Sequence, residues 1–362
     1  MSPSTPPWNF SAGPAALPAE VLAQAQQELT DWRGTGVSVM EVSHRGADFM
    51  AMAEEAEQDL RALLPVPASH AVLFLQGGAT QHFAQLAMNL AAPGERADYV
   101  LTGHWSQKAA REAGHHVRVR VAGSSEDRGF RGLPERIEVD PQASYLHFTP
   151  NETIHGVEFH AWPDAGAVPL VADMSSDILS RPVDVARFGM IYAGAQKNIG
   201  PSGLVLVIID RELLHRAGQP MADIFRYARH AEQQSMLNTP NTWGWYLAGL
   251  TFKWLLRQGG LDAMGERNRA KANALYAAID ASAGFYHNDI DTDARSRMNV
   301  PFRLHDPSLD PLFLDEATGA GLMALKGHRA VGGMRASIYN AMPMEGVQAL
   351  IAFMGDFARR HG

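Results

Sequence analysis

Residues 190–203 read MIYAGAQKNIGPSG. Met190 to Ala193 form a short apolar run of strand type, and Lys197 follows it inside a turn punctuated by Gly194, Gly200, Pro201 and Gly203. A second apolar run, Leu204–Ile209, begins at once. A lysine at a strand end in a glycine-rich turn occupies the place where α/β folds carry reactive groups, and desolvation there would favour its neutral amine. Position alone reads equally well as a surface lysine in a turn.

Working outward, the same alternation recurs. Ala71–Gln76 is an apolar run closed by Gly77-Gly78, after which Phe83, Leu86, Ala87 and Leu90 return at helical spacing. Further strands are predicted near Ala97–Leu101, His116–Val121, Tyr145–Phe148 and Pro169–Ala172. Runs this apolar suit parallel strands buried on both faces, so the expected class is α/β, with a doubly wound, mostly parallel sheet. Upstream, residues 17–64 read as interrupted helix opening at Pro18, broken near Gly34 and Gly36 and by the loop Glu41–Gly46. Downstream, an amphipathic helix is predicted over Trp243–Arg257, and Gly259-Gly260 marks a boundary. A helix to about Ala283, a strand at Met298–Leu304, and helices at Leu312–Leu325 and Glu345–Arg360 would then build a smaller α/β domain. The expected division is a large domain of residues 16–258 and a small one of 1–15 with 259–362.

Composition narrows the chemistry. With 362 residues, 46% of them hydrophobic and 19% charged, the chain can bury a large core. A net charge of −8 argues against nucleic acid or an anionic membrane as partner, so an anionic ligand must meet local positive charge. No cysteine is present, which removes disulfides, thiolate metal sites and cysteine nucleophiles. The start MSPSTPPWNF lacks the features of a signal peptide, no apolar run is long enough for a membrane span, no metal site is indicated, and a cytoplasmic location is expected.

Five lysines occur: Lys108, Lys197, Lys253, Lys271 and Lys326. Lys108, Lys253 and Lys271 fall in helical patterns and read as solvated or snorkelling side chains. Lys197 gains meaning from Asp173, which ends the apolar run Val171-Ala172. A carboxylate there could pair with a protonated pyridine nitrogen and keep such a ring an electron sink, although it could equally cap the turn at Ser175-Ser176. Gly77-Gly78-Ala79-Thr80 leads into a helix N-terminus suited to a phosphate, though an ordinary tight turn looks the same. Trp105 could stack on a flat heterocycle or belong to the core.

The segments NFSAGPAALP, SHRG, FLQGGATQHF, PNETIHGVEF, VADMSSDILSRP, IYAGAQKNIGPSG, NTPNTWGWY and GHRAVGGMRASIYNAMP, in this order, resemble the phosphoserine aminotransferase family of class V, fold-type I, pyridoxal-phosphate-dependent enzymes. The resemblance implies pyridoxal 5′-phosphate held as a Schiff base on Lys197, which also shuttles the substrate's α-proton. It implies Asp173 against the pyridinium nitrogen, Trp105 on the ring, Thr153 at the phenolic oxygen, and Ala79, Thr80 and Gln196 at the phosphate. Some relatives carry arginine in place of Thr80, which leaves that one contact open. Asn238 and Thr239 would reach the cofactor of a neighbouring subunit, so a homodimer with shared sites is expected. Arg335 would fork the substrate α-carboxylate, with His44, Arg45, His328 and Arg329 around the distal anion.

The implied reaction transfers the amino group of L-glutamate to 3-phosphohydroxypyruvate on the route to serine, with a longer phosphorylated oxo-acid on the way to vitamin B6 as a second substrate. Among rivals, a cysteine desulfurase is excluded by the missing cysteine. Small alanine–glyoxylate substrates do not require two His-Arg pairs, an aminotransferase-like regulator would add a basic DNA-binding segment, and the dinucleotide fingerprint Gly-x-Gly-x-x-Gly of a dehydrogenase is absent.

Overall fold

The computed structural model describes residues 7–216 and 218–362. The first six residues, which belong both to the stretch read for a targeting signal and to the segment 1–15 assigned to a small domain, lie outside the described residues.

Seven strands form the central sheet in the order His70–Gly77, Gly203–Asp210, Met190–Gly194, Leu170–Asp173, Leu146–Phe148, Arg96–Leu101, Arg118–Ser124. The last five are parallel to one another, whereas Gly203–Asp210 runs antiparallel to both its neighbours. The reversal has a covalent cause. Only residues 195–202 join Met190–Gly194 to Gly203–Asp210, and a parallel crossover needs a dozen residues or more. The chain must turn back on itself, and Ala195 N–H closes that hairpin on Leu204 C=O at 2.9 Å.

Alternation along the strands sends side chains to two opposite cores. Val171, Tyr192 and Val207 face one, with Phe83 and Ala109 from the helices Ala79–Leu90 and His104–Ala113. Ala172, Ile191 and Ile208 face the other, with Phe49 and Phe252 from the helices Ala47–Leu63 and Thr242–Arg257. The doubly wound arrangement is the one expected. The helix Thr242–Arg257 is less amphipathic than its sequence suggests: eleven of its residues are buried, because it packs against Ala47–Leu63 as well as the sheet.

A three-stranded antiparallel sheet, Tyr286–His287, Asn299–Leu304 and Met334–Ser337, packs on the helices Gly260–Asp280, Asp310–Gly319 and Met344–His361. Its core holds Leu275, Phe302, Phe313 and Phe357, and Phe10 from the N-terminal segment joins it. The helix expected over Leu312–Leu325 ends at Gly319. Gly321 takes φ +79, and Leu322–Met323 then pairs in parallel with Trp8–Asn9. The helix expected to reach Ala283 stops at Asp280, since Ala283 itself lies at φ +53.

Two lysines behave differently from the solvated reading. Lys253 is half-buried between Glu55 and Asp59, at 2.7 and 2.8 Å. Lys271 is only 2% exposed, and its ammonium donates to the carbonyls of Ile338, Tyr339 and Met342 at 2.9, 2.8 and 2.8 Å. It ties the helix Gly260–Asp280 to the chain that follows the strand Met334–Ser337. Lys271→Met keeps the apolar stem but removes three buried hydrogen bonds, so unfolding stability measured in urea should fall by about 3 kcal/mol. A variant matching the wild type to within about 0.5 kcal/mol would refute this role.

Candidate active site

At the carboxyl edge of the parallel strands a cavity of about 420 Å³ opens, the edge where open α/β sheets take their ligands. The strand ends supply its floor. Asp173 closes Leu170–Asp173, Gly194 closes Met190–Gly194, and Gly77 closes His70–Gly77. Lys197 enters from the hairpin loop, where Ile199 and Gly200 both donate their N–H to Ala195 C=O and wind the loop into a tight turn. Buried Asn198 fixes that turn by donating to Ile178 C=O and accepting from Asn340 N–H.

The Lys197 amine donates to Thr153 Oγ1 at 2.7 Å. Burial pushes its pKa down to about 8, against the pull of Asp173 and Glu152 towards the charged form. Asp173, 4% exposed, uses Oδ1 to accept from Ser175 N–H at 3.0 Å and from Ser175 Oγ at 2.5 Å. Burial holds this carboxyl above the usual range, while the Ser175 bonds and Lys197 oppose the shift. Both sequence readings of Asp173 are thus compatible: one oxygen caps the Ser175 turn, and the carboxylate still lines the cavity.

Arg335 reaches the same cavity from the strand Met334–Ser337. It makes one long bond, 3.4 Å, to Thr153 C=O, and its buried Nε has no partner. The buried Thr149 Oγ1 and Trp105 Nε1 are likewise unpartnered, and both residues line the cavity. Among the described residues three such atoms gather around this one cavity, a lining suited to a polar ligand. The free amides that begin the helix Ala79–Leu90 suit an anion at one end, and Asp173 suits a protonated nitrogen deeper in. A desolvated amine completes the donor set, and these residues fit pyridoxal phosphate.

Comparison with known proteins agrees with this geometry. A family model described as aminotransferase class-V matches residues 7–350. The chain belongs to the class-V aminotransferases. A phosphoserine aminotransferase of Stenotrophomonas maltophilia is 59% identical to it, over 98% of this chain and 99% of its own. Among solved structures, phosphoserine aminotransferase from Bacillus circulans subsp. alkalophilus matches with a TM-score of 0.96 at 47% identity, covering 98% of this chain and 99% of that one. A PLP-bound phosphoserine aminotransferase from Trichomonas vaginalis matches at 0.91 and 40% identity, covering 96% and 99%. The architecture is the fold-type I class shared by these enzymes.

Within this class-V aminotransferase the candidate residues fall into two sets. Ala79, Thr80, Trp105, Thr153, Asp173, Gln196, Lys197, His328 and Arg335 line the cavity. His44, Arg45, Asn238, Thr239 and Arg329 do not. Arg329 is exposed, but its charge helps to hold the neighbouring His328 and His104 below the ordinary histidine range, behind burial as the main cause. Asn238 and Thr239 are exposed beside Gln76, with Asn238 Nδ2 donating to Gln76 Oε1 at 3.1 Å. His44 and Arg45 sit in a turn outside the cavity lining; Arg45 is exposed, and His44 Nε2 is buried without a partner among the described residues.

One residue important to the site escaped sequence reasoning. Buried Glu152 accepts from the N–H groups of Trp105 and Ser106 at 3.1 and 2.8 Å and from Ser106 Oγ at 2.7 Å. It thereby holds the first turn of the helix His104–Ala113, and with it Trp105. A Cβ on Gly103 would lie 2.6 Å from this carboxyl, so only glycine admits the clamp. Its sole sequence signal is its place between Asn151 and Thr153.

The depressed lysine gives a direct measurement. In cofactor-free protein, amine-selective acylation of Lys197 should rise with pH around a midpoint of about 8, because the neutral amine reacts. A midpoint at the ordinary lysine value near 10.5 would contradict the burial described here.

Proposed function

We propose that this aminotransferase is a phosphoserine aminotransferase. It would bind pyridoxal 5′-phosphate through Lys197 and move the amino group of L-glutamate to 3-phosphohydroxypyruvate, yielding O-phospho-L-serine and 2-oxoglutarate. The observation that carries the reading is one cavity holding a desolvated lysine, a buried carboxylate and a guanidinium with no carboxylate partner among the described residues, in a chain 59% identical to an enzyme of that name.

When bound, the cofactor supplies an electron sink for the charge left as a substrate α-proton departs. The chain's residues do the rest. Asp173, oriented by Ser175, would hold the ring nitrogen. Thr153 orients the Lys197 amine, which near its pKa can take the α-proton and return it. Arg335 receives the α-carboxylate in two-pronged fashion, which suits its fixed fork of donors. Ala79, Thr80 and Gln196 take the cofactor phosphate, and Trp105 covers the ring. His328 and Arg329 meet the substrate's distal anion, phosphate or γ-carboxylate.

The same reading needs a second subunit. His44, Arg45, Asn238 and Thr239 miss the cavity of their own chain, and the exposed apolar Val37 and Met40 lie close by in sequence to the His44–Arg45 turn. We read these as parts of a homodimer in which each chain completes its partner's site. Residues 16–258 would form the large domain, and 1–15 with 259–362 the small one. A pocket built for a distal dianion also suits a longer phosphorylated oxo-acid, giving 4-phosphohydroxy-L-threonine for vitamin B6 synthesis. Among the described residues no helix is long and apolar enough to cross a membrane, consistent with work in the cytoplasm.

Lys197→Ala should abolish the borohydride-reducible cofactor adduct, and trapping on another lysine would refute the assignment. Protein loaded with pyridoxamine phosphate, mixed separately with phosphohydroxypyruvate, pyruvate and glyoxylate, should turn over with the first. Turnover with pyruvate alone would overturn the substrate. Arg335→Ala should lower kcat/KM for both half-reactions by about a hundredfold. The shared site has its own test. Hybrids of Lys197→Ala and Arg45→Ala chains pair an intact lysine with an intact arginine across the dimer, so mixing two weak variants should restore about a quarter of wild-type activity on phosphorylated substrate. No gain on mixing would place Arg45 in its own chain's site or outside both.

A further inference from the structure

Lys108 lies on the helix His104–Ala113, one turn after Trp105. Its ammonium donates to Thr80 Oγ1 at 3.3 Å and lies 5.5 Å from the centroid of the Trp105 ring. Unlike Lys253, which two carboxylates neutralise, it has no carboxylate within ion-pair distance among the described residues. It therefore stands as an uncompensated charge between two residues that line the cavity.

An ammonium has three donors and no acceptor. Thr80 must consequently present a lone pair to Lys108, and its own hydroxyl hydrogen is turned elsewhere. Thr80 is the second residue of the helix Ala79–Leu90 and faces the cavity beside Gly77 and Gly78. Thr80 is exposed to the open cavity, and a ligand acceptor seated at the anion end, where the free amides of the helix also point, lies within the directions left to that hydrogen. The positive field around Lys108 is felt nearby, since after burial it is the largest influence holding His104 below the ordinary histidine range.

We propose that Lys108 is a positioning cation for the phosphate end of the site: it sets the Thr80 hydroxyl as a donor towards the cofactor's phosphate and adds positive charge behind it. This rests on the pyridoxal-phosphate reading above. Lys108 acts through Thr80 and touches no reacting atom, so the readout that isolates it is selectivity for the phosphate.

Full-length protein stripped of cofactor is titrated with pyridoxal phosphate and, separately, with pyridoxal, which has the same ring and aldehyde but no phosphate, following tryptophan fluorescence. Lys108→Met should weaken pyridoxal phosphate about tenfold while pyridoxal changes by less than about twofold. Lys108→Arg should recover most of the loss, and added salt should narrow the wild-type preference for the phosphorylated ligand more than that of Lys108→Met. Equal weakening of both ligands would overturn the proposal, because the lysine would then only shape the Trp105 wall; unchanged affinity for pyridoxal phosphate would overturn it as well. Failure of the underlying reading looks different: wild-type protein would not take up pyridoxal phosphate in a Lys197-dependent manner.

Discussion

The eight residues that separate Gly194 from Gly203 constrain everything else in the site. Too few to cross the sheet, they force an antiparallel return and fold into a compact turn at the carboxyl edge of the parallel strands. Lys197 occupies that turn. Had the connection been a helical crossover, the segment after Met190–Gly194 would have been carried away from the strand ends that present Asp173 and Gly77. The hydrogen bonds of Asn198 to Ile178 and Asn340 then hold the turn against neighbouring segments. Lys197 is thus placed by a short covalent connection and two polar ties of its turn, and its amine by Thr153.

That placement gathers local positive charge within an acidic protein. Over the whole chain the charge is −8, yet the cavity gathers Lys197, Arg335, His328 and a helix N-terminus. Desolvation is what makes the grouping useful. It lowers the amine towards neutrality, raises Asp173, and leaves Arg335 with a buried nitrogen that has no partner among the described residues. Removing the pocket from water strengthens each of these effects together, because the same low polarity that penalises an isolated charge amplifies its attraction to a partner.

Elements whose identity rests on local pattern were legible in the sequence. The apolar strands and the glycine turns that end them needed no distant information, and so Asp173, Lys197 and the Ala79–Thr80 helix start could be named from residues alone. Long-range partnership was not legible. Lys271 sits in an ordinary helical pattern, and nothing local shows that three carbonyls far along the chain will enclose it. Helix ends at Asp280 and Gly319 were overrun because the hydrophobic pattern continued while the backbone turned at Ala283 and Gly321. His44, Arg45, Asn238 and Thr239 carry a clear motif signal, yet the fold of one chain does not bring them to the cavity.

The tripeptide Asn151-Glu152-Thr153 shows how much long-range organisation three adjacent residues can hold. Asn151 and Glu152 form a short strand that sends its two side chains to opposite sides, Thr153 opens the turn that follows, and each of the three is buried in a different network. Asn151 donates to Ser176 and Asn299 and accepts from Ser296, joining the large sheet's edge to the strand Asn299–Leu304. Glu152 grips the helix that carries Trp105. Thr153 accepts from Lys197 with its hydroxyl and from Arg335 with its carbonyl. Trp105, the Lys197 amine and the Arg335 guanidinium are therefore tied to one short piece of main chain. Adjacent peptide bonds, which are stiff, thus give these three groups one shared point of reference in addition to the elements that carry them.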